Sequence, residues 1–245
     1  MNIPIRKSWG QNFIIDDNTI NKIIKIINPK KNEHIIEIGP GRGAITLPLL
    51  EQVKHITAIE IDPMLVEFLK NKNKNNLTIE NQDFMDWIPS FECERRVFGN
   101  LPYYISSPII FKLIKDGRFN EIIIMLQKEV GLRMLANENS KDYSRMSVMA
   151  QTFCDVKYET DISKNIFNPK PNVDSCIISL KRKKINLEFS KYSDFIRYAF
   201  QHKRKKIKNN LKNHLDGSGI KVLGERRAEN ISVNEYIDIF NKYFF

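Results

Sequence analysis

The sequence predicts an α/β fold, a mainly parallel sheet with helices packed on it, followed by a small all-helical unit. Three observations lead there. Short β-rich runs alternate with amphipathic stretches from His34 to Asn137, two further β-like runs follow, and after Ile185 the apolar spacing becomes helical throughout. The division falls between a larger domain over 1–184 and a smaller one over 185–245, in keeping with a 245-residue chain of 42% hydrophobic content.

The first strand is His34 to Ile38, followed by an amphipathic stretch from Ala44 to Val53; the second pair is His55 to Ile61 and Met64 to Lys72. Strands then fall at Leu77 to Asn81, Arg96 to Gly99 and Glu121 to Leu126, with helices at Ser107 to Lys115 and Lys128 to Asn137. Strands joined through helices pair in parallel, because the crossover must return to the starting edge. Phe153 to Ile162 and Cys176 to Lys181 follow a polar loop and a Pro-rich loop and are expected to pair at one edge of the sheet, often antiparallel. That makes seven strand candidates. In the second unit, helices are expected at Asp194 to Gln201, at Lys203 to His214 and from Val233, where Ser232 and Glu235 have capping-box spacing. Gly217, Gly219 and Gly224 read as turn or helix-stop positions.

Lys and Arg number 39 against 29 Asp and Glu, a formal charge of +10 with a pI near 9.4, which favours a polyanionic partner. Met1 to Gly10 has no apolar targeting core, and the run Ile122 to Leu126 is far too short to span a bilayer, so a soluble cytoplasmic protein with no membrane association is expected. Cys93, Cys154 and Cys176 form no C-x-x-C pair, and His34, His55, His202 and His214 share no metal-like spacing. No metal is expected.

Glu37-Ile38-Gly39-Pro40-Gly41-Arg42-Gly43 closes the first strand and opens the next helix, where glycines let the backbone approach a ligand and a helix presents free N–H groups. Its G-x-G-x-G spacing differs from the G-x-G-x-x-G that accommodates a pyrophosphate, so a nucleoside-type cofactor without one fits better. Glu60, 21 positions beyond Gly39, ends the second strand where a carboxylate accepts ribose hydroxyl protons; Asp83 ends the third, placed for an adenine amine, with Phe84 beside it as an apolar face. Taken singly, the glycines read equally as a plain turn, Glu60 as an exposed acid and Asp83 as a turn-former. Their coincidence at three successive strand ends is what points to one ligand.

Phe98-Gly99-Asn100-Leu101-Pro102-Tyr103-Tyr104 ends the fourth strand, on the same rim. An exocyclic amine is a poor nucleophile, because its lone pair is delocalised into the ring, and must be oriented by acceptors for its N–H protons. Asn100 offers its side-chain oxygen and Leu101 a carbonyl freed by Pro102, while Tyr103 stacks on a base for roughly 1–3 kcal/mol. Asn and Pro are also ordinary turn residues, so the element reads as a turn when isolated.

With these motifs in place, the sequence closely resembles the KsgA-type (RsmA) small-subunit ribosomal RNA adenine dimethyltransferases and, more distantly, the macrolide-resistance methyltransferases of large-subunit rRNA. The resemblance runs through Gly10 to Phe13, Glu37 to Gly43, Glu60, Asp83, Asn100 to Tyr103, Leu126 to Val130, Phe167 to Ser175, Phe200 to Leu211 and Arg227 to Glu229. It implies a Rossmann-like seven-stranded class I methyltransferase sheet and S-adenosylmethionine as cofactor, contacted by Asn12, Ile14, Gly39, Glu60, Asp83 and Asn100; Gly41 and Phe84, read above from the strand ends, complete the expected cofactor set. It implies that Phe167 closes the target adenine against Tyr103, although a Phe in a Pro-rich loop also reads as a hydrophobic plug. The implied substrate is a pair of adjacent adenosines in the 3′-terminal hairpin loop of 16S rRNA, each methylated twice on N6 within an immature subunit, by an enzyme expected to act as a monomer. Tyr104, where many relatives carry Asn, is a departure.

Lys203, Arg204, Lys205, Lys206 and Lys208, with Arg197 and Lys212, form a basic cluster free of acids in the sequence, and with Arg6 and Lys7 they are expected to track RNA phosphates. A solvated helix face is the plainer alternative. Methylation of large-subunit rRNA and a non-catalytic ribosome-assembly role are rival functions. A nicotinamide dehydrogenase is disfavoured by the glycine spacing.

Overall fold

In the computed structural model, which describes residues 4–6, 9–91 and 95–244, seven strands build one sheet. They are β2 (His34–Ile38), β3 (His55–Glu60), β4 (Leu77–Asn81), β5 (Arg95–Asn100), β6 (Phe119–Gln127), β7 (Cys154–Ile162) and β9 (Ser175–Arg182), in the order β4-β3-β2-β5-β6-β9-β7. The first five pair in parallel, with β2 at the centre between β3 and β5. Its sequence explains the place: His-Ile-Ile-Glu-Ile is buried on both faces, as a central parallel strand must be. The late strands β7 and β9 lie at the opposite edge from β4, as the sequence pattern expects. Two further short strands, β1 (Phe13–Ile14) and β8 (Phe167–Asn168), form an antiparallel pair that the sequence did not reveal.

Packing divides the chain into two units, Met1–Lys128 with Tyr158–Leu180 and Glu129–Lys157 with Lys181–Phe245. The first holds the helices α1 (Asp17–Ile27), α2 (Thr46–Leu50), α3 (Pro63–Lys70) and α4 (Ser106–Lys115). Its core gathers Ile23, Ile27, Leu49, Ile56, Phe98 and Ile177. Helix α1 was not anticipated, yet its local chemistry is complete. The Asp16 side chain accepts the Thr19 N–H at 2.7 Å, and Asn28 ends the helix in the left-handed region at φ 49°. Helix α2 is much shorter than the predicted 44–53, since the turn through Gly43 takes up its first residues.

The second unit holds α5 (Lys128–Leu135, which begins on the last residue of the first unit), α6 (Arg145–Phe153), α7 (Phe189–Ala199), α8 (Ile207–Leu211), α9 (Gly217–Leu223) and α10 (Val233–Tyr243). Aromatic rings fill it: Tyr192 meets Phe240 edge-on at 5.2 Å, and Phe195 meets Tyr236 at 6.0 Å. Such pairs contribute about 0.5–1.5 kcal/mol each beyond burial. Helix α6 has no predicted counterpart, because seven of its residues are buried and no polar face marks its period. The expected helix from Lys203 to His214 shrinks to α8. Lys206 is extended and bridges Arg227, and Asn210 turns its amide inward to Ala199 O at 2.7 Å.

Two glycines expected as turns instead open α9. Asp216 caps it by accepting the Gly219 N–H at 2.7 Å, and a Cβ on Gly219 would lie 2.9 Å from Tyr243 Cβ, so glycine is there for close packing. The helix from Val233 is capped by the Ser232 and Glu235 box, as the spacing predicts.

Candidate active site

The carboxyl ends of β2, β3 and β5, with the turn after β4, border one cleft, which encloses about 1110 Å³ of empty space, part of it open to solvent. Parallel wiring puts these ends on one edge, so residues far apart in the chain meet there. Gly39, Gly41, Glu60, Asp83, Phe84 and Asn100 all line it, and so do Asn12, Ile14, Leu101, Pro102 and Tyr103.

At the end of β2 the chain turns through Gly39 and Gly41, at φ 66° and 57°, where an L side chain is strained. A Cβ on Gly41 would also sit 3.1 Å from the Phe13 ring. The turn brings the Gly41 N–H to Glu60 Oε2 at 3.1 Å, while Glu60 Oε1 accepts the Asp62 N–H at 2.9 Å. Burial pushes the Glu60 carboxyl above its ordinary range, and the two backbone donors act in the opposite sense.

The amino-terminal segment is tied to this rim. Buried Asp62 accepts the Gln11 side-chain amide at 2.9 Å and lies 3.7 Å from Arg6, whose own N–H donates to Gln11 Oε1 at 2.8 Å. Gly10, at φ 64°, would place a Cβ 3.3 Å from the Tyr104 ring, so it passes close to the Asn100 to Tyr104 turn. Asn12 presents its carbonyl to Asn100 Nδ2 at 3.3 Å. With Nδ2 so used, Asn100 Oδ1 remains an acceptor. In the turn after β4, Asp83 Oδ1 accepts the Met85 N–H at 2.8 Å, and Phe84 stacks on Trp87 with centroids 5.7 Å apart. The Tyr103 hydroxyl meets Ser175 Oγ at 2.6 Å, and burial holds its phenol above the usual value, so it stays protonated.

Glu37 is a feature that the sequence pointed to only as part of the glycine motif. It lines the cleft, is 2% exposed, and its Oε2 has no hydrogen-bond partner among the described residues. Burial, with Glu60 nearby, pushes its carboxyl up to about 8.

Phe167 is not brought to the cleft. Paired with Ile14 across β1 and β8, its side chain is 3% exposed and packs in the apolar core of the first unit. Of the predicted reacting residues, Asn100 to Tyr103 therefore meet on the rim and Phe167 lies in the core, the plug its surroundings also suggested.

The basic cluster is less free than its sequence implied. Lys206 and Lys208 both pair with Glu225, and Lys203 lies 3.7 Å from Glu229, acids that arrive from later in the chain. Arg204 and Lys205 are exposed. Arg6 rests on the Trp9 ring at 4.4 Å, and Lys7, like Cys93, lies outside the described residues. Among the described residues no helix is long and apolar enough to cross a membrane, and no group of three or more His, Cys, Asp or Glu is placed to hold a metal.

Comparison with known proteins converges on one family. The chain is 43% identical over 258 residues to a ribosomal RNA small subunit methyltransferase A of Wigglesworthia glossinidia brevipalpis, covering 98% of each chain. A protein of that name from Prosthecochloris aestuarii is 38% identical over 248 residues, 98% of this chain and 94% of the relative. Among solved structures, a dimethyladenosine transferase from Plasmodium falciparum superposes with a TM-score of 0.82 at 28% identity, over 95% of this chain and all of that one. The 23S rRNA methyltransferase ErmE shares the fold, with a TM-score of 0.71 at 22% identity over 94% of this chain and all of that one. A family model described as ribosomal RNA adenine dimethylase matches residues 2–244, and the chain belongs to that family.

Proposed function

We propose that this chain transfers methyl groups from S-adenosylmethionine to the N6 amines of two adjacent adenosines in the 3′-terminal hairpin loop of small-subunit rRNA, two to each. The observation that carries the reading is that one cleft holds Glu60, anchored on the Gly41 N–H, and the Asn100 to Tyr103 rim. The residues fit such a donor. A glycine turn at Gly41 too close to the Phe13 ring for a Cβ, and a buried Glu37 Oε2 with no partner among the described residues, suit a polar ligand against bare backbone. Glu60 would hold the ribose hydroxyls, Asp83 Oδ2 the adenine amine, and Phe84 the face of the base; Gly39, Asn12 and Ile14 would close around the donor.

The donor's sulfonium supplies an electrophilic methyl, so the protein needs no covalent nucleophile. Asn100 Oδ1 and the Leu101 carbonyl, kept out of further strand pairing by Pro102, orient the target amine by accepting its N–H protons. Tyr103 stacks on the everted base, its ring held by Ser175. Phe167 would reach that base only by leaving the core, so Tyr103 carries the stacking in this arrangement.

The helical domain 185–245, with exposed Arg204 and Lys205, and Arg6 and Lys7 at the start of the chain would contact rRNA phosphates of an immature subunit. The enzyme would work as a cytoplasmic monomer without a metal. Incubating purified protein and methyl-labelled donor with separated immature subunits tests the whole reading. Dimethyladenosine in small-subunit rRNA, located by mass spectrometry, is the expected result; label confined to large-subunit rRNA overturns it.

A further inference from the structure

Lys112 lies on α4 outside the cleft lining, and the chemistry above does not use it. Its ammonium donates to three backbone carbonyls, those of Phe84 at 2.6 Å, Met85 at 2.7 Å and Trp87 at 2.6 Å. An ammonium has three N–H donors and no acceptor, so its capacity is filled. It also sits 5.1 Å from the Phe84 ring centroid.

These carbonyls belong to the turn that carries Asp83 and Phe84. Within that turn Asp83 takes the Met85 and Trp87 N–H groups, at 2.8 Å through Oδ1 and 3.0 Å through its carbonyl. Those bonds curl the backbone and leave the carbonyls of 84, 85 and 87 turned toward α4. Without Lys112 three part-buried acceptors would crowd together unpaired, a costly arrangement. At the start of α4, Ser106 Oγ donates to the Tyr103 carbonyl at 3.3 Å. One helix thus touches the reacting rim at its first residue and the adenine turn about 9 Å further along.

We propose that Lys112 is a positioning residue for the adenosine half of the donor: it gathers the Phe84, Met85 and Trp87 carbonyls and so sets Asp83 and Phe84 for the adenine. This rests on the donor reading above.

The test compares wild type, Lys112→Met and Lys112→Arg, titrated calorimetrically with S-adenosylmethionine and with 5′-methylthioadenosine, which keeps only the adenosine half. Lys112→Met is expected to weaken both ligands about tenfold and raise the donor KM alike, with kcat at saturating donor within about twofold and RNA affinity unchanged. Lys112→Arg, which keeps charge and donors, is expected to recover most of the loss. If Lys112→Met does not fold, Lys112→Gln takes its place with the same expected direction. Unchanged binding of both ligands, loss for S-adenosylmethionine alone, or an equal loss of RNA affinity overturns the role of Lys112. Failure of the wild type to bind S-adenosylmethionine would instead remove the donor reading itself.

Discussion

Glu60 Oε2 accepts the Gly41 N–H at 3.1 Å, which joins the end of one strand to the glycine turn of its neighbour. The carboxylate is thus oriented before any ligand arrives. Loss of a charged acceptor facing ribose hydroxyls costs about 1.5–3 kcal/mol per bond, so Glu60→Ala is expected to weaken donor binding about 10- to 100-fold or more while RNA binding holds. Paired calorimetric titrations check it, and an unchanged donor affinity would end the assignment.

In the proposed arrangement Asn100 serves the target amine through Oδ1, since its Nδ2 donates to the Asn12 carbonyl. Asn100→Ala is expected to lower single-turnover methyl transfer by about 10²–10³, the range for loss of one preorganised polar group, with donor affinity changed by much less. Equal loss in both measurements would show that it serves the donor.

The Tyr103 hydroxyl and Ser175 are 2.6 Å apart, so ring and hydroxyl have separable roles. Tyr103→Ala removes the stack and is expected to cost about 1–3 kcal/mol in kcat/KM for RNA. Tyr103→Phe keeps the ring and should lie much nearer wild type. A Phe variant as poor as Ala would assign the work to the hydroxyl.

Glu37, whose buried carboxyl is pushed up to about 8 from an ordinary 4.5, binds a proton in the folded chain that the unfolded chain would release. Its contribution to stability is therefore complete below pH 4.5 and fades as pH rises to about 8, at no more than about 1.4 kcal/mol per pH unit. Glu37→Gln should remove that slope. Urea unfolding of both proteins from pH 5 to 8 reads it, and parallel profiles would mean that Glu37 is already ionised.

Glu225 is exposed, and Lys206 and Lys208 hold its carboxyl at about 2. Glu225→Gln is expected to free both lysines, tighten RNA binding at low salt, and steepen the log–log salt dependence by about one to two phosphate contacts. An unchanged slope would place this edge of the helical unit away from RNA.

What the sequence by itself determined was the sheet edge that borders the cleft. Strand polarity and period are local properties, and parallel wiring forces the ends of His34–Ile38, His55–Glu60 and Arg95–Asn100 together, so Gly39, Glu60, Asp83 and Asn100 were legible as one site. Several helices with a mixed face were legible too, though α1, which has such a face, was not. Nor was the mostly buried α6, because its residues carry little periodic contrast.

Tertiary structure alone decided which distant side chains support that edge. Asn12 meets Asn100 across 88 positions and Ser175 meets Tyr103 across 72, and Glu225 neutralises lysines that look free in their own stretch of chain. Phe167 goes to the core because its backbone pairs with Ile14. Such contacts depend on how separate segments pack against one another, and side-chain direction is set only when the neighbouring surface is in place.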